Sequence, residues 1–160
     1  MTEIIYKPIG IIHSPFKEQK GTPIQPTASD SKGEVEVFPE FSEGLQDLEE
    51  FSHIILIYHF HLSKKASLKM KPFMDNHKHG IFSIRAPSRP NSIGMSIVKL
   101  NKIEKNILYI EDIDILEGTP LLDIKPFVPK FDNRNTTKTG WLKNNVYKLE
   151  KTKDDERFAK

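Results

Sequence analysis

His53-Ile54-Ile55-Leu56-Ile57-Tyr58-His59-Phe60-His61-Leu62 is an unbroken run of β-branched, aliphatic and aromatic residues. That composition belongs to a strand, and the lack of polar alternation predicts a central strand buried on both faces. Downstream, Ile81–Arg85, Gly94–Ile103, Ile107–Ile113 and Leu121–Ile124 read as further strands, with a turn inside the polar stretch Asn101–Asn106. Upstream, Tyr6–Ile12 reads as a first strand ending at Ser14-Pro15, and Glu34-Val35-Glu36-Val37 alternates as a half-buried strand does. Between them Phe16–Lys32 carries Gly21, Pro23 and Pro26 among polar residues and reads as a long loop, a kind often reserved for function. Phe41, Leu45, Leu48 and Phe51 fall at helical spacing and predict one short helix. About seven strands with one or two short helices imply a mainly β protein, a small closed or nearly closed barrel, because closure removes exposed strand edges.

The barrel is expected over residues 1–135. From Lys130 the chain turns polar, Asn133-Arg134-Asn135-Thr136-Thr137 reads as a loop, and residues 136–160 form a polar, partly helical tail. Trp141, Val146 and Leu149 supply its weak apolar pattern, and Lys151–Lys160 is expected to fray.

A length of 160 residues suits one domain with a real core, and 37% hydrophobic with 29% charged residues is ordinary for a globular protein. No segment approaches the roughly 20 apolar residues of a membrane span. Met1-Thr2-Glu3-Ile4 does not open a secretory leader, so a cytoplasmic location is the expectation. The chain has no cysteine, which excludes disulfides, thiolate metal sites and thiol nucleophiles. A net charge of +2 gives no chain-wide field for nucleic acid, but Lys64, Lys65, Lys69, Lys71 and Lys78 cluster beside His77 and His79 with only Asp75 opposing. Such a run is either a solvated loop or a contact for a phosphate backbone.

Arg85-Ala86-Pro87-Ser88-Arg89-Pro90-Asn91-Ser92-Ile93-Gly94 places two arginines in a turn whose prolines preset the backbone. A guanidinium fork suits a carboxylate or phosphate, so this turn is a candidate anion site as well as an ordinary surface turn. No two glycines stand as G-x-G, so neither the Rossmann fingerprint nor the P-loop is present. His59 and His61 are two apart, which permits a metal site on one strand face, as does the same spacing at His77 and His79. No carboxylate follows His61, and hydrogen-bonded histidines lining a polar pocket account for the pattern as well. Glu117-Gly118-Thr119-Pro120 reads as a turn, and Asp123 with Lys125 as a strand ion pair. No nucleophile, base and orienting acid assemble from spacing.

Taken in order, Ile9-Gly10 with Ser14-Pro15-Phe16, Pro23-Ile24-Gln25, Gly44–Leu48 leading to Phe51-Ser52-His53, Gly80-Ile81-Phe82, Arg85–Gly94 and Glu117–Phe127 resemble the TsaA-like, or TrmO, family over about Ile9–Asp132. The resemblance implies a small β-barrel methyltransferase that uses S-adenosylmethionine without a Rossmann domain, works as a homodimer and methylates N6 of N6-threonylcarbamoyladenosine at position 37 of tRNA. It implies a cofactor site at Pro23, Ile24, Gln25, His61, Leu62, Arg85, Met95, Glu117, Gly118, Thr119 and Pro120, with Arg89 and Asn91 in the same motif. Arg85 or Arg89 would bind the methionine carboxylate or a substrate anion, Leu62 and loop backbone groups would enclose adenine, and the lysine run would meet tRNA phosphates. Tyr58, His59 and His61 are the proton acceptors that location allows. The chain departs from the family pattern in having Ile24 in place of arginine, Glu117 in place of aspartate and Ser92 in place of proline, and in stopping near Lys160. Two other readings compete: a non-catalytic barrel that binds S-adenosylmethionine, a nucleotide or RNA, and a metal-dependent barrel enzyme using His59 and His61.

Overall fold

The structure, a computed structural model, describes residues 1–158. Its strands are β1 (Gly10–His13), β2 (Lys32–Val37), β3 (His53–His59), β4 (Lys69–Met70), β5 (His79–Gly80), β6 (Ile93–Glu104), β7 (Ile107–Glu111) and β8 (Thr119–Pro126). Six of them close a barrel in the order β1-β2-β7-β6-β3-β8, every neighbouring pair antiparallel, and β4 with β5 forms a separate two-stranded ribbon. The barrel expectation holds with six strands rather than about seven.

The strand count falls short because Ile81–Arg85 is not a strand. Ile81–Ser83 is one turn of 3-10 helix, which puts Ile81 and Ile84 into a small core while Phe82 and Ser83 face out. Apolar residues three apart fit that turn, and the ribbon pairing ends as the Ile81 N–H donates to the Leu68 carbonyl. The first strand begins at Gly10 rather than Tyr6, leaving Ile4, Ile5 and Tyr6 exposed. The helix expected over 41–51 is two 3-10 pieces, Pro39–Leu45 and Leu48–Glu50. Asp47 between them takes a left-handed φ of 65°, which no helix can continue through.

The opening run does become the central strand β3, flanked by β6 and β8. Its burial alternates: Ile54, Leu56 and Tyr58 point into the barrel, whereas Ile55 and Ile57 are half-buried outside. A closed barrel has one interior, so only alternate residues enter it. They join Ile12, Val35, Val37, Val98, Leu108, Ile110 and Leu121 in one core. At roughly 1.5–3 kcal/mol per fully buried aliphatic side chain, this core is the main source of stability.

Close packing constrains Gly10, Gly33 and Gly94 on the barrel wall. At Gly10 an added Cβ would meet the Glu36 carbonyl, and at Gly94 it would strike the Tyr58 ring.

The C-terminal residues pack back instead of fraying. Gly140–Asn144 and Val146–Lys151 form 3-10 turns, Trp141 Nε1 donates to the Ser83 carbonyl at 2.8 Å, and the Trp141 ring stacks on His79. Lys153 bridges to Pro23, and Phe158, 5% exposed, closes the core of Ile81, Ile84 and Ala86. Residues 159 and 160, the last of the segment expected to fray, lie outside the described residues.

Candidate functional site

One end of the barrel carries a cavity of about 270 Å³, built from the long loop before β2, the segment after β3, the arginine-proline turn, the start of β6 and the stretch between β7 and β8. Pro23, Ile24 and Gln25 form one wall and His61 and Leu62 another; Arg85, Arg89, Met95 and Thr119 complete the set of expected residues that line it. Residues more than 90 positions apart in the chain thus meet because β3, β6 and β8 are adjacent in the barrel.

Four expected residues do not line it. Glu117 turns to the other side of its turn, where His13 Nδ1 lies 2.8 Å from Oε1 and the Ser14 N–H donates to Oε2 at 2.7 Å. Gly118 takes a left-handed φ of 77°, which lets the turn reverse at an exposed point. Pro120 sits in β8 opposite Ile11, and Asn91 is exposed at the rim. The turn from Glu117 to Pro120 therefore braces the cavity, and Thr119 alone of the four forms its surface.

The two arginines separate into different roles. Arg89 donates to the carbonyls of Ile84 at 2.9 Å and Ala86 at 3.2 Å, so it locks the turn. Arg85 is exposed at the cavity, with one hydrogen bond among the described residues, to Gln25 Oε1 at 2.9 Å. Most of its five donors stay free for an anion.

His61 faces the cavity with its pKa lowered, first by loss of water around it and then by the nearby His59. It is a neutral imidazole at pH 7, within 3.4 Å of the Thr119 hydroxyl, which donates to the Leu116 carbonyl at 2.7 Å. His59 is exposed at the strand end, and no cluster of three or more metal-ligating side chains exists among the described residues. The two histidines thus lack the third ligand that a metal enzyme would need.

Glu117 and His13 form a charged brace beneath the turn. Glu36 sits on the other nitrogen of His13, Nε2, at 3.0 Å. Hydrogen bonds to Glu117 and Glu36 raise the His13 pKa, while partial desolvation opposes them. Burial pushes Glu117 up, but the His13 and Ser14 bonds outweigh it and hold its carboxyl below the usual value.

Several residues lining the cavity or lying just behind its wall carried no motif. Tyr58, buried in β3, Ser96 beside it in β6 and Asp114 form a hydrogen-bonded file, with Tyr58 Oη 2.9 Å from Ser96 Oγ and Ser96 Oγ 2.7 Å from Asp114 Oδ1. Asp114 stands between Ile113 and Ile115, both buried, and an acid inside an apolar stretch is the only trace of it in the sequence. Gln19, Thr22 and Asp154 make a polar corner, and Gln19 Oε1 is buried without a hydrogen-bond partner among the described residues. Nothing in the charge-rich tail signalled Asp154.

Cavity and fold together define a small antiparallel barrel with a ligand-sized cavity at one end walled by loops and side chains, with no βαβ unit among the described residues and no glycine-rich phosphate loop in the sequence. Residues 11–133 match the family described as the tRNA-methyltransferase O N-terminal domain, and the chain belongs to that family. It is 64% identical over 156 residues to a probable S-adenosyl-L-methionine-binding protein of Pyrococcus abyssi, covering 97% of this chain and 85% of that one. It is 37% identical over 138 residues to the human tRNA (adenine(37)-N6)-methyltransferase, covering 81% of this chain but 31% of the human protein. The crystal structure of TrmO from Pseudomonas aeruginosa superposes with a TM-score of 0.76 at 37% identity, over 90% of this chain and 65% of that one. The chain thus spans just under two thirds of that solved relative.

Proposed function

We propose that this chain is an S-adenosylmethionine-dependent tRNA methyltransferase whose acceptor is N6 of N6-threonylcarbamoyladenosine at position 37, working in the cytoplasm as a homodimer. The observation that carries the reading is the convergence of Pro23–Gln25, His61, Leu62, Arg85, Met95 and Thr119 on one cavity, in a family whose relatives are named for cofactor binding and for tRNA adenine methylation.

The residues present fit the cofactor's chemistry. Arg85 offers unused donors to a carboxylate, Ile24, Leu62 and Met95 offer apolar surface to an adenine or thioether, and the buried Gln19 oxygen lacks a donor that an ammonium or hydroxyl would supply. When bound, S-adenosylmethionine supplies an electrophilic methyl on a positively charged sulfur. The chain's own contribution is positional: the barrel strands hold the lining residues, Arg89 stiffens the turn that presents Arg85, and partial enclosure keeps water from the reacting atoms. An anticodon-loop base, already unstacked, would enter from the open side. Lys64, Lys65, Lys69 and Lys71, all exposed between β3 and the ribbon or within it, are placed to meet phosphates.

A tritiated-methyl assay on paired tRNAs tests the substrate. Label should enter tRNA carrying threonylcarbamoyladenosine and not the same tRNA lacking it; equal labelling of both would remove the substrate assignment. Tight cofactor binding with no transfer to any modified tRNA would favour the non-catalytic reading.

A further inference from the structure

Methylating N6 of a carbamoyl-substituted adenine releases a proton, and on the reading above some group at the cavity must take it. We propose that Asp114 is the proton acceptor, held for this task by the hydroxyls of Ser96 and Tyr58.

The geometry fixes which oxygen is free. Ser96 has one hydroxyl proton, and its 2.7 Å bond to the Asp114 carboxylate uses it, so the Tyr58 hydroxyl donates to Ser96 Oγ at 2.9 Å. Both hydroxyl protons thus point along the file toward Asp114 Oδ1. Ser96 sits on Oδ1, no other residue among those described bonds Oδ2, the only further donor to the carboxyl is Asp114's own backbone N–H, and Asp114 lines the cavity. One carboxylate oxygen is therefore tethered and the other open toward the ligand space, as a positioned base requires.

The competitors are weaker. Tyr58 is buried, gives its proton to Ser96, and has its pKa raised by desolvation and then by the Asp114 charge, so it stays protonated. His59 is exposed outside the cavity lining. His61 lines the cavity, but desolvation lowers its basicity. Asp114 moves the opposite way: burial pushes its carboxyl up to about 7, against the Ser96 bond, its own backbone N–H and the Arg85 charge. Arg85 is the charged group that acts on it, and Asp114's own charge in turn raises the Tyr58 pKa.

The step balances. The N6–H bond breaks toward Asp114 Oδ2 as the methyl group leaves sulfur for nitrogen; the sulfonium becomes a neutral thioether, N6 gains the methyl, and the carboxylate ends as a neutral acid.

The test compares wild type, Asp114→Asn and Asp114→Glu in single-turnover methylation of threonylcarbamoyladenosine tRNA across pH 5.5–9, with cofactor affinity measured by calorimetry. The expected result is a wild-type rate that rises with pH to a plateau, with its midpoint near neutrality. Asp114→Asn should lose about 100- to 10,000-fold in rate at saturating cofactor and lose the rise, with cofactor affinity within about twofold. Asp114→Glu should recover part of the rate and the rise. An Asp114→Asn variant that turns over within threefold of wild type would overturn the proposal. So would one whose whole defect is weakened cofactor binding, because Asp114 would then be a ligand-binding residue. A pH rise that survives Asp114→Asn and vanishes in His61→Asn would move the role to His61. Wild type that binds cofactor yet methylates no tRNA would instead refute the reading on which this rests.

Discussion

Replacing Gly94 with alanine should damage both the barrel and its cavity, because Gly94 lies where β6 passes the Tyr58 ring on β3. The new Cβ would collide with Tyr58 Cε2 and stand 2.6 Å from its Cζ and 2.8 Å from Phe60 Cζ. Carbon atoms pack at about 3.5–4.0 Å, so the Tyr58 ring must retreat by about 1 Å or the strands must part. The ring's clashing end is tethered by the hydroxyl bond to Ser96, and the ring packs edge-on against Phe60, with centroids 5.4 Å apart. Overpacking costs about 1–3 kcal/mol, and freeing the buried Tyr58 hydroxyl adds about 1–3 kcal/mol, so Gly94→Ala should lose about 2–6 kcal/mol. Urea denaturation reads this directly. With a slope of about 2 kcal/mol/M, the midpoint should fall by about 1–3 M at unchanged slope. Cofactor affinity should fall at least tenfold with it, since Gly94, Tyr58 and Phe60 all line the cavity. Gly44→Ala is the control: nothing lies within 4 Å of its added Cβ, and its stability should match wild type within about 0.5 kcal/mol. A Gly94→Ala protein as stable as that control would refute the packing reasoning.

Three further outcomes follow from the same structure. Arg85→Ala should leave the urea midpoint unchanged, because the side chain is exposed and bonds only Gln25 among the described residues, while calorimetry should show S-adenosylmethionine binding at least tenfold weaker. His13 has a raised pKa, so its contribution is fully present below the unfolded value of about 6.5 and is lost as pH rises through the folded value; the stability gap between wild type and His13→Ala should narrow from pH 6 to pH 9. Phe158→Ala should cost the docked C-terminal segment about 3 kcal/mol, read as faster proteolysis after residue 150 and as weaker cofactor binding through the loss of the Asp154 corner.

Much of the barrel was legible because its cause is local. Val35 and Val37 alternate with acids, and the apolar runs of β3 and β6 exceed what any loop would carry. Ile81–Arg85 misled because a short apolar run with residues three apart serves a 3-10 turn as readily as a strand, and nothing local distinguishes the two. The tail misled because Trp141 and Phe158 find their partners, Ser83, His79 and the Ile81–Ala86 core, more than 50 residues upstream. At the site, motif positions located the cavity but not which residues face it: Pro120 alternates away from Thr119 as β8 begins, and Glu117, before the Gly118 turn, goes to His13 and Ser14. Asp114 and Ser96 needed the tertiary pairing of β6 with β3, which brings Ser96 to the Tyr58 hydroxyl, and the segment after β7, which brings Asp114 to Ser96.

The most direct test is mass spectrometry of nucleosides from threonylcarbamoyladenosine-containing tRNA incubated with the protein and S-adenosylmethionine carrying a trideuterated methyl group. The expected product is threonylcarbamoyladenosine heavier by one deuterated methyl, with the label on the base at N6, formed by wild type and reduced in Arg85→Ala. Unlabelled threonylcarbamoyladenosine after full incubation with folded, cofactor-binding protein, or label on any other nucleoside, would contradict the account.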